Sequence, residues 1–246
     1  MSSPAALINL LYPPACLLCH GHFHSRASRE IEEQVLCDDC VGGMPRNGPP
    51  LCSRCGLELP GAFDAILQCA ACRRRPPVFE VAKAPWQYAG PARDAIRQFK
   101  YHRRWRMGRW LAQEMVTTAH SFLPLEEEVF VASVPLHWIK RRFKGFNPAE
   151  QLACTVARTL QKPYLPNALR RTRWTATQTR LPWRQRARNV REAFVSDERL
   201  VRNRSVLLID DVLTSGATAN ACASALKEAG VRRVFVLTAA RTPLYD

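Results

Sequence analysis

No run of apolar residues in this 246-residue chain approaches the roughly 20 that carry a helix across a bilayer, so no membrane span is expected. A basic start is also missing. Met1 to Tyr12 holds only a brief apolar run, broken by Asn9, which makes a poor secretory signal, and Cys16 is a poor lipidation site. A short helix packed on the rest of the protein is the simpler reading, and the expected location is the cytoplasm. Cysteine is nearly absent after residue 72. Cys154 and Cys222 alone follow, both in apolar helical contexts that suit core residues. Acidic residues are scarce, 21 against 36 Lys and Arg, which leaves a formal net charge of +15. Internal repeats are lacking too, apart from a series of cysteine pairs. With 47% apolar residues the chain can bury a sizeable core, as one large domain or as a small one joined to a medium one.

The first third concentrates what the rest lacks. Eight cysteines form four C-x-x-C pairs: Cys16/Cys19, Cys37/Cys40, Cys52/Cys55 and Cys69/Cys72. Each such turn places two thiolates on one side of a knuckle, and two knuckles complete a tetrahedral zinc site. Four knuckles therefore predict two structural zinc sites with no open coordination position. A disulfide framework would suit a secreted chain, and redox chemistry would need a βαβ context around a single pair. Sequential pairing is expected: Cys16, Cys19, Cys37 and Cys40 at one site, Cys52, Cys55, Cys69 and Cys72 at the other. Spacing alone also permits interleaving. His20, His22 and His24 beside the first knuckle are alternative ligands, with exposed decoration the simpler reading.

Charge divides the chain. Residues 1–79 carry seven Lys/Arg and seven Asp/Glu, so the entire excess lies in residues 80–246. Two windows hold most of it, Arg93 to Arg109 and Lys140 to Glu192. The second has fourteen basic residues against Glu150 and Glu192. That density calls for a polyanionic partner, although a solvated basic surface is the bland alternative. The boundary is placed at the Arg73-Arg-Arg-Pro-Pro77 linker, dividing a zinc module (1–79) from a second domain (80–246).

In the second domain strands are read at 81–88, 129–134, 206–209 and 233–239. Helices are read at 91–101, 105–122, 148–160 and 217–228. Alternating strands and helices predict an α/β fold, a parallel sheet flanked by helices. The most informative stretch is Val206 to Thr218. A short apolar strand ends in Asp210-Asp211, and a turn of Thr214, Ser215 and Gly216 leads into a helix at Ala217 and Thr218. Ligands of open α/β sheets bind beyond the carboxyl ends of the strands. A helix N-terminus there offers unpaired N–H groups and a positive dipole end to a phosphate. The two carboxylates repel phosphate but suit hydroxyl groups or a divalent metal on the same molecule. A phosphate beside a diol describes a ribose 5-phosphate. An ordinary buried strand with a polar, helix-capping turn is the plainer alternative.

This stretch resembles the phosphoribosyl pyrophosphate (PRPP) signature of type I phosphoribosyltransferases. With the multi-cysteine module before it, nearly the whole chain is similar to the ComF/GntX family of competence-associated and DNA-utilisation proteins, its compact spacing nearest the enterobacterial GntX-type subgroup. Further matches are Phe99-Lys100-Tyr101; Val134-Pro135; Arg141-Arg142-Phe-Lys144-Gly145-Phe146-Asn147; Gln151-Leu152-Ala153; and the spaced Gln178, Leu181, Arg186, Asn189 and Ala193-Phe194. Lys144 replaces the family's usual Arg and Pro148 its frequent Gln. Lysine lacks the bidentate fork of arginine, so anion geometry at that turn is expected to be looser.

The resemblance implies a type I phosphoribosyltransferase-like sheet preceded by a double zinc ribbon, and a PRPP-dependent transferase. In that scheme Asp210 and Asp211 are the catalytic acids that orient ribose, and Thr214, Ser215, Gly216, Ala217 and Thr218 hold the 5-phosphate. Lys100, Arg141, Arg142, Lys144, Gly145 and Arg186 bind pyrophosphate. The loop from Pro135 to Gly145, with Lys140 also in it, is the pyrophosphate loop, and Arg170 to Arg191 is a closing loop. Mg2+ accompanies PRPP, and two zinc ions are structural. A nucleobase acceptor would stack on an aromatic ring, for which Trp138, Trp174 and Trp183 are candidates, each equally well read as a packing residue. The alternative is a non-catalytic PRPP-sensing or single-stranded-DNA-binding accessory protein of the DNA-uptake machinery, with DNA-uptake proteins as partners. Basic residues interleaved with Trp105, Trp110, Trp138, Trp174 and Trp183 support that alternative.

Overall fold

In the computed structural model, residues 15–23, 34–61, 67–102, 104–124, 126–136, 145–172 and 193–244 are described. Their centre is a parallel sheet. Strands β1 (Val81–Lys83) and β2 (Trp86–Gln87) run along one side of β7 (Arg233–Arg241). On the other side of β7 lie β6 (Ser205–Leu213) and then β3 (Val129–Ser133). The expected single strand at 81–88 is thus two pieces, interrupted at Ala84-Pro85. Proline donates no ladder hydrogen bond, so the strand breaks beside it and resumes at Trp86.

Strand β6 reads as a near-continuous apolar run because both faces of the sheet are covered. Successive side chains alternate between faces. Val206 and Leu208 pack in one cluster with helix α7 (Ala217–Glu228). Leu207 and Ile209 pack in the other, with α3 (Gly90–His102), α4 (Trp105–His120) and α5 (Pro148–Thr159). Gly108 of α4 is small because Phe99 of α3 lies against it; a Cβ there would stand 2.4 Å from the ring. The N-cap of α5 is Asn147, whose Oδ1 accepts from the Ala149 N–H at 3.1 Å while its Nδ2 donates to the Val134 carbonyl at 3.0 Å. One buried amide thereby starts the helix and ties it to the end of β3. Pro148 occupies the first helical turn, where a missing N–H costs no hydrogen bond.

Three features of the long basic stretch and its surroundings escape the sequence reading. Strands β4 (Leu169–Arg171) and β5 (Phe194–Ser196) pair antiparallel, bringing together the two ends of segment 173–192, which lies outside the described residues. A one-turn helix, α6 (Glu198–Val201), is capped by Asp197. Strands β6 and β7 also extend well past their expected ends at Ile209 and Ala239.

The cysteine-rich residues are not a bead on a linker. Each half packs on a different face of the sheet. Cys16, Val35, Leu36 and Met44 join the cluster of α3 and α4, and Arg104 and Arg106 of that region donate to the carbonyls of Leu17 and Gln34. Cys52, Cys55, Leu57, Cys69 and Cys72 join the α7 face. There the knuckle backbone docks directly on β1: the Ala82 N–H donates to the Arg54 carbonyl at 2.8 Å. Gly56 follows at φ +62°, and a Cβ on it would stand 2.5 Å from the Ala82 carbonyl oxygen. Only glycine fits that combination of left-handed backbone and close approach. The Arg54 guanidinium closes the contact with hydrogen bonds to the Pro77 and Phe79 carbonyls at 2.9 and 2.7 Å.

Candidate functional site

Two clusters of four thiols form, and they are the sequential ones. The sulfurs of Cys16, Cys19, Cys37 and Cys40 all lie within 4.8 Å of one another, as do those of Cys52, Cys55, Cys69 and Cys72. Four sulfurs at about 2.3 Å from a central ion span distances of this kind, so both sets fit tetrahedral zinc. Among the described residues no histidine joins either set, which leaves His20 and His22 outside them; His24 lies outside the described residues. The two sites share one construction. The third cysteine, Cys37 or Cys69, caps a five-residue helix, α1 (Asp38–Gly42) or α2 (Ala70–Arg74), and accepts from the N–H of the fourth at 3.4 Å. Further N–H groups, of Gly21 to Cys19 and of Cys69 to Cys52, converge on sulfur. Such donors favour thiolate. Hydrogen bonding, led by Cys55, draws the Cys52 thiol down to about 4, while the same partnership and burial push Cys55 up. Four crowded sulfurs cannot all ionise without a cation. All four residues of the second site are buried, whereas Cys19 of the first is exposed.

The PRPP-like stretch forms the carboxyl end of β6. The strand continues through both acids to Leu213, pairing Asp210 with Thr238 and Leu213 with Arg241 of β7. Consecutive strand residues face opposite ways, so Asp210 and Asp211 diverge. Asp211 is largely buried and takes an ion pair from Lys100 Nζ at 2.8 Å. Burial works against the charge on Lys100, yet Asp211 beside it raises its pKa above the ordinary value. Asp210 takes the side nearer Cys222 of α7, whose thiol burial and the Asp210 charge push well up. The Asp210 residue is partly exposed, but its carboxyl is enclosed. Burial, with Asp211 next to it, pushes it up to about 7, although its Oδ1 accepts from the Asp211 N–H at 2.8 Å.

Thr214, Ser215 and Gly216 then turn into α7. Gly216 sits at φ +76° with open space where a Cβ would be. It caps α7 without a side-chain hydrogen bond, and Thr214 and Ser215 are exposed. The Ser215 Oγ accepts from the Ala217 N–H at 3.3 Å. Open N–H groups, small residues and two hydroxyls make a cradle for an anion. The structure also brings the chain leaving the basic turn to this end of the molecule. Gly145, at φ +71°, precedes Phe146, whose ring meets Phe99 and Trp105 edge-on with centroids 6.3 and 5.1 Å away. Lys140, Arg141, Arg142 and Lys144 of that turn lie outside the described residues, as do Arg186, Trp138, Trp174 and Trp183. Trp110 is no free platform, since it stacks on Trp86 with centroids 6.0 Å apart.

Arg241 belongs to no motif of the sequence, yet it is central to the site. It is buried at the end of β7, and its Nε donates to the Cys55 carbonyl at 3.3 Å. Its Nη1 donates to the carbonyls of Leu213, Thr214 and Thr242. One side chain therefore ties the second cysteine knuckle to the anion cradle. Asn220 of α7 adds a second tie, its Oδ1 accepting from the Val78 N–H at 2.6 Å. The available signal was a charged residue directly after the apolar Ala239-Ala240, at the carboxyl end of a parallel strand.

Comparison with known proteins gives two family matches. Residues 7–73 match the double zinc ribbon domain and residues 144–243 the phosphoribosyl transferase domain. The DNA utilization protein YhgH of Escherichia coli K12 is 32% identical over 237 residues, 95% of this chain and 99% of that protein. Competence protein F of Haemophilus influenzae is 29% identical over 232 residues, 92% and 96% of the two chains. Among solved structures, the allosteric regulatory enzyme of purine biosynthesis overlaps 54% of this chain and 25% of its own, with a TM-score of 0.36 at 22% identity. Adenine phosphoribosyltransferase of Leishmania tarentolae overlaps 55% and 56%, at 0.33 and 16%. Scores this low carry no argument; the fold rests on the sheet and the domain match.

Proposed function

The chain belongs to the family of DNA utilization and competence proteins that join a double zinc ribbon to a phosphoribosyl transferase domain, and we propose that it binds PRPP and transfers or recognises its ribose 5-phosphate group in the use of external DNA or its nucleobases. One observation carries this reading: the acid pair, the Lys100 ion pair and the open N-terminus of α7 converge at one end of β6. The 5-phosphate lies on the N–H groups from Ser215 to Thr218, with the Thr214 and Thr218 hydroxyls beside it. Asp210 and Asp211 accept hydrogen bonds from the ribose hydroxyls. Lys100 holds Asp211 in place through their ion pair. An accompanying Mg2+ would supply neutralisation of the pyrophosphate charge. Lys140, Arg141, Arg142 and Lys144 are the residues proposed to receive that pyrophosphate, with Arg186 closing from the other loop.

Calorimetric titration of Mg-PRPP into the zinc-loaded protein tests this directly. Micromolar binding is expected, and an Asp210→Asn/Asp211→Asn variant should lose at least about 100-fold, since two hydrogen bonds to charged acceptors are weakened. Absence of binding to the unaltered protein would sink the proposal.

A second reading is favoured by a specific feature, the corner between α3 and α4. Tyr101 and Trp105 are 62% and 45% exposed there, among Arg97, Arg104 and Arg109. Exposed rings beside cations suit stacking of single-stranded bases. On this reading the protein is a non-catalytic accessory that handles single-stranded DNA while sensing PRPP. Trp105→Ala should then weaken oligothymidylate binding about 10-fold, and affinity should fall steeply as salt rises. Affinity indifferent to both would rule this reading out.

A further inference from the structure

The two cysteine clusters share a sulfur spacing across their knuckles but differ in access to solvent. In the first, Cys19 Sγ lies 3.6 Å from Cys37 Sγ; in the second, Cys55 Sγ lies 3.7 Å from Cys69 Sγ. Cys55 and Cys69 are buried, as are Cys52 and Cys72. Cys19 is exposed and Cys37 half-buried, and His20, Gly21 and His22 beside Cys19 are open to solvent. Cys19 and Cys37 belong to different knuckles, and contacts that involve no sulfur hold those knuckles together. The Leu17 N–H donates to the Val35 carbonyl at 3.0 Å, and the Cys16 N–H to the Gly21 carbonyl at 2.9 Å. Arg104 Nη1 donates to the Leu17 carbonyl at 3.1 Å and Arg106 Nη2 to the Gln34 carbonyl at 3.0 Å, which ties both knuckles to the start of α4. Val35 and Leu36 add apolar packing. These ties keep Cys19 beside Cys37 with or without a metal between them.

We propose that Cys19 and Cys37 form an oxidative modification site, converted by a hydroperoxide from zinc ligands into a disulfide, while the second cluster is spared. The Cys19 thiolate attacks one peroxide oxygen; the O–O bond breaks, hydroxide leaves and the sulfur becomes a sulfenic acid. The Cys37 thiolate attacks that sulfur, the S–S bond forms and a second hydroxide leaves. The two sulfurs together lose two electrons, the peroxide gains them, and protons from solvent turn both hydroxides into water. Cys16 and Cys40 alone do not complete a four-coordinate site, so they release the ion and take up protons. The disulfide joins the same two knuckles that the metal joined, so the ribbon keeps its fold, and a thiol reductant with zinc restores the starting state. Oxidation also removes the net negative charge of a four-thiolate zinc site from beside Arg104 and Arg106, which leaves that face more basic. At the second cluster the sulfurs lie equally close, but packing against β1, β6, β7 and α7 shuts the oxidant out. Access decides between the two, not spacing.

Hydrogen peroxide is added to the zinc-loaded full chain, with a colorimetric zinc reporter and peptide mapping by mass spectrometry under non-reducing conditions. One zinc per chain should be released at least about 10-fold faster than the other, because exposure of the thiolate sets its oxidation rate. A Cys19–Cys37 disulfide should accumulate in step with that release. Dithiothreitol and added zinc should reverse both. Cys154→Ala, which removes the half-buried cysteine outside both clusters, should leave rate and product unchanged. Mg-PRPP plays no part in the readout, so the fate of the ribose site does not decide this one. Release of both ions at one rate, no release, zinc loss without a disulfide, a disulfide joining any other pair, or a product that changes with Cys154→Ala would each overturn the proposal.

Discussion

Replacing Asp210 by Asn is expected to make the ligand-free, zinc-loaded protein more stable at pH 8 while weakening Mg-PRPP binding about 10–100-fold, the loss of one hydrogen bond to a charged acceptor. Burial and the neighbouring Asp211 carboxylate push Asp210 up to about 7, against an ordinary 3.8. Between those values the folded protein retains a proton that the unfolded chain has released. Stability from this group therefore falls as pH rises from about 4 through about 7, and the full penalty persists above. Asparagine carries no charge to desolvate. The melting-temperature advantage of Asp210→Asn should be largest at pH 8 and close to nothing near pH 4. In a chain of this size each kcal/mol moves the midpoint by about 2–4 °C. The ligand reverses the preference, because ribose hydroxyls and an accompanying cation both favour the ionised acid. Mg-PRPP affinity in the unaltered protein should therefore climb as pH rises through about 7, and the variant should lose that dependence. A variant that is destabilised equally at every pH would show that Asp210 is a structural hydrogen-bond acceptor instead.

This conflict between stability and function shows which parts of the site were legible beforehand. The acid pair, the hydroxyl-glycine turn and the eight cysteines are contiguous or closely spaced, so their chemistry is written in local sequence. The divergence of the two acids is not, because it depends on β6 continuing past Ile209 as a strand paired with the full length of β7. Once Asp210 and Asp211 belong to the strand, alternation sends one toward Lys100 and the other toward Cys222. Lys100 itself stood out through a family resemblance, while the structure supplies its physical role as the counter-ion of Asp211. Arg241, Arg54 and Asn220 were invisible for a different reason. Each works by reaching a backbone group far away in sequence, and side-chain-to-carbonyl contacts leave no periodic trace. The β4–β5 pair was hidden in the same way, since its two short strands are separated by a long basic segment.

Loss of the second zinc site is expected to be far more damaging than loss of the first, although each is built from two C-x-x-C pairs. The reason is where they sit. The buried sulfurs of Cys52, Cys55, Cys69 and Cys72 share one apolar cluster with β1, β6, β7 and α7. Cys55 lends its carbonyl to Arg241, and Arg54 and Gly56 dock on Ala82. Cys52→Ser removes a thiolate from that core and leaves an uncompensated buried group beside the cradle. Structural zinc contributes roughly 10–16 kcal/mol in small zinc domains, as large as the roughly 5–15 kcal/mol that commonly separates folded from unfolded protein. Cys52→Ser should therefore fail to accumulate as soluble protein, or do so with Mg-PRPP binding lost. Cys19→Ser alters an exposed ligand at a site that packs on α3 and α4, away from α7. It should yield soluble protein holding one zinc, with a lowered melting temperature and Mg-PRPP affinity within about 3-fold of the unaltered protein. Chelator treatment followed with a colorimetric zinc reporter gives an independent check on the unaltered chain. Two kinetic phases of equal amplitude are expected, the faster from the exposed first site, with loss of Mg-PRPP binding tracking the slower. Binding that disappears with the first zinc would mean that the cradle is held from the α3–α4 face, and that the Arg241 tie is not what positions it.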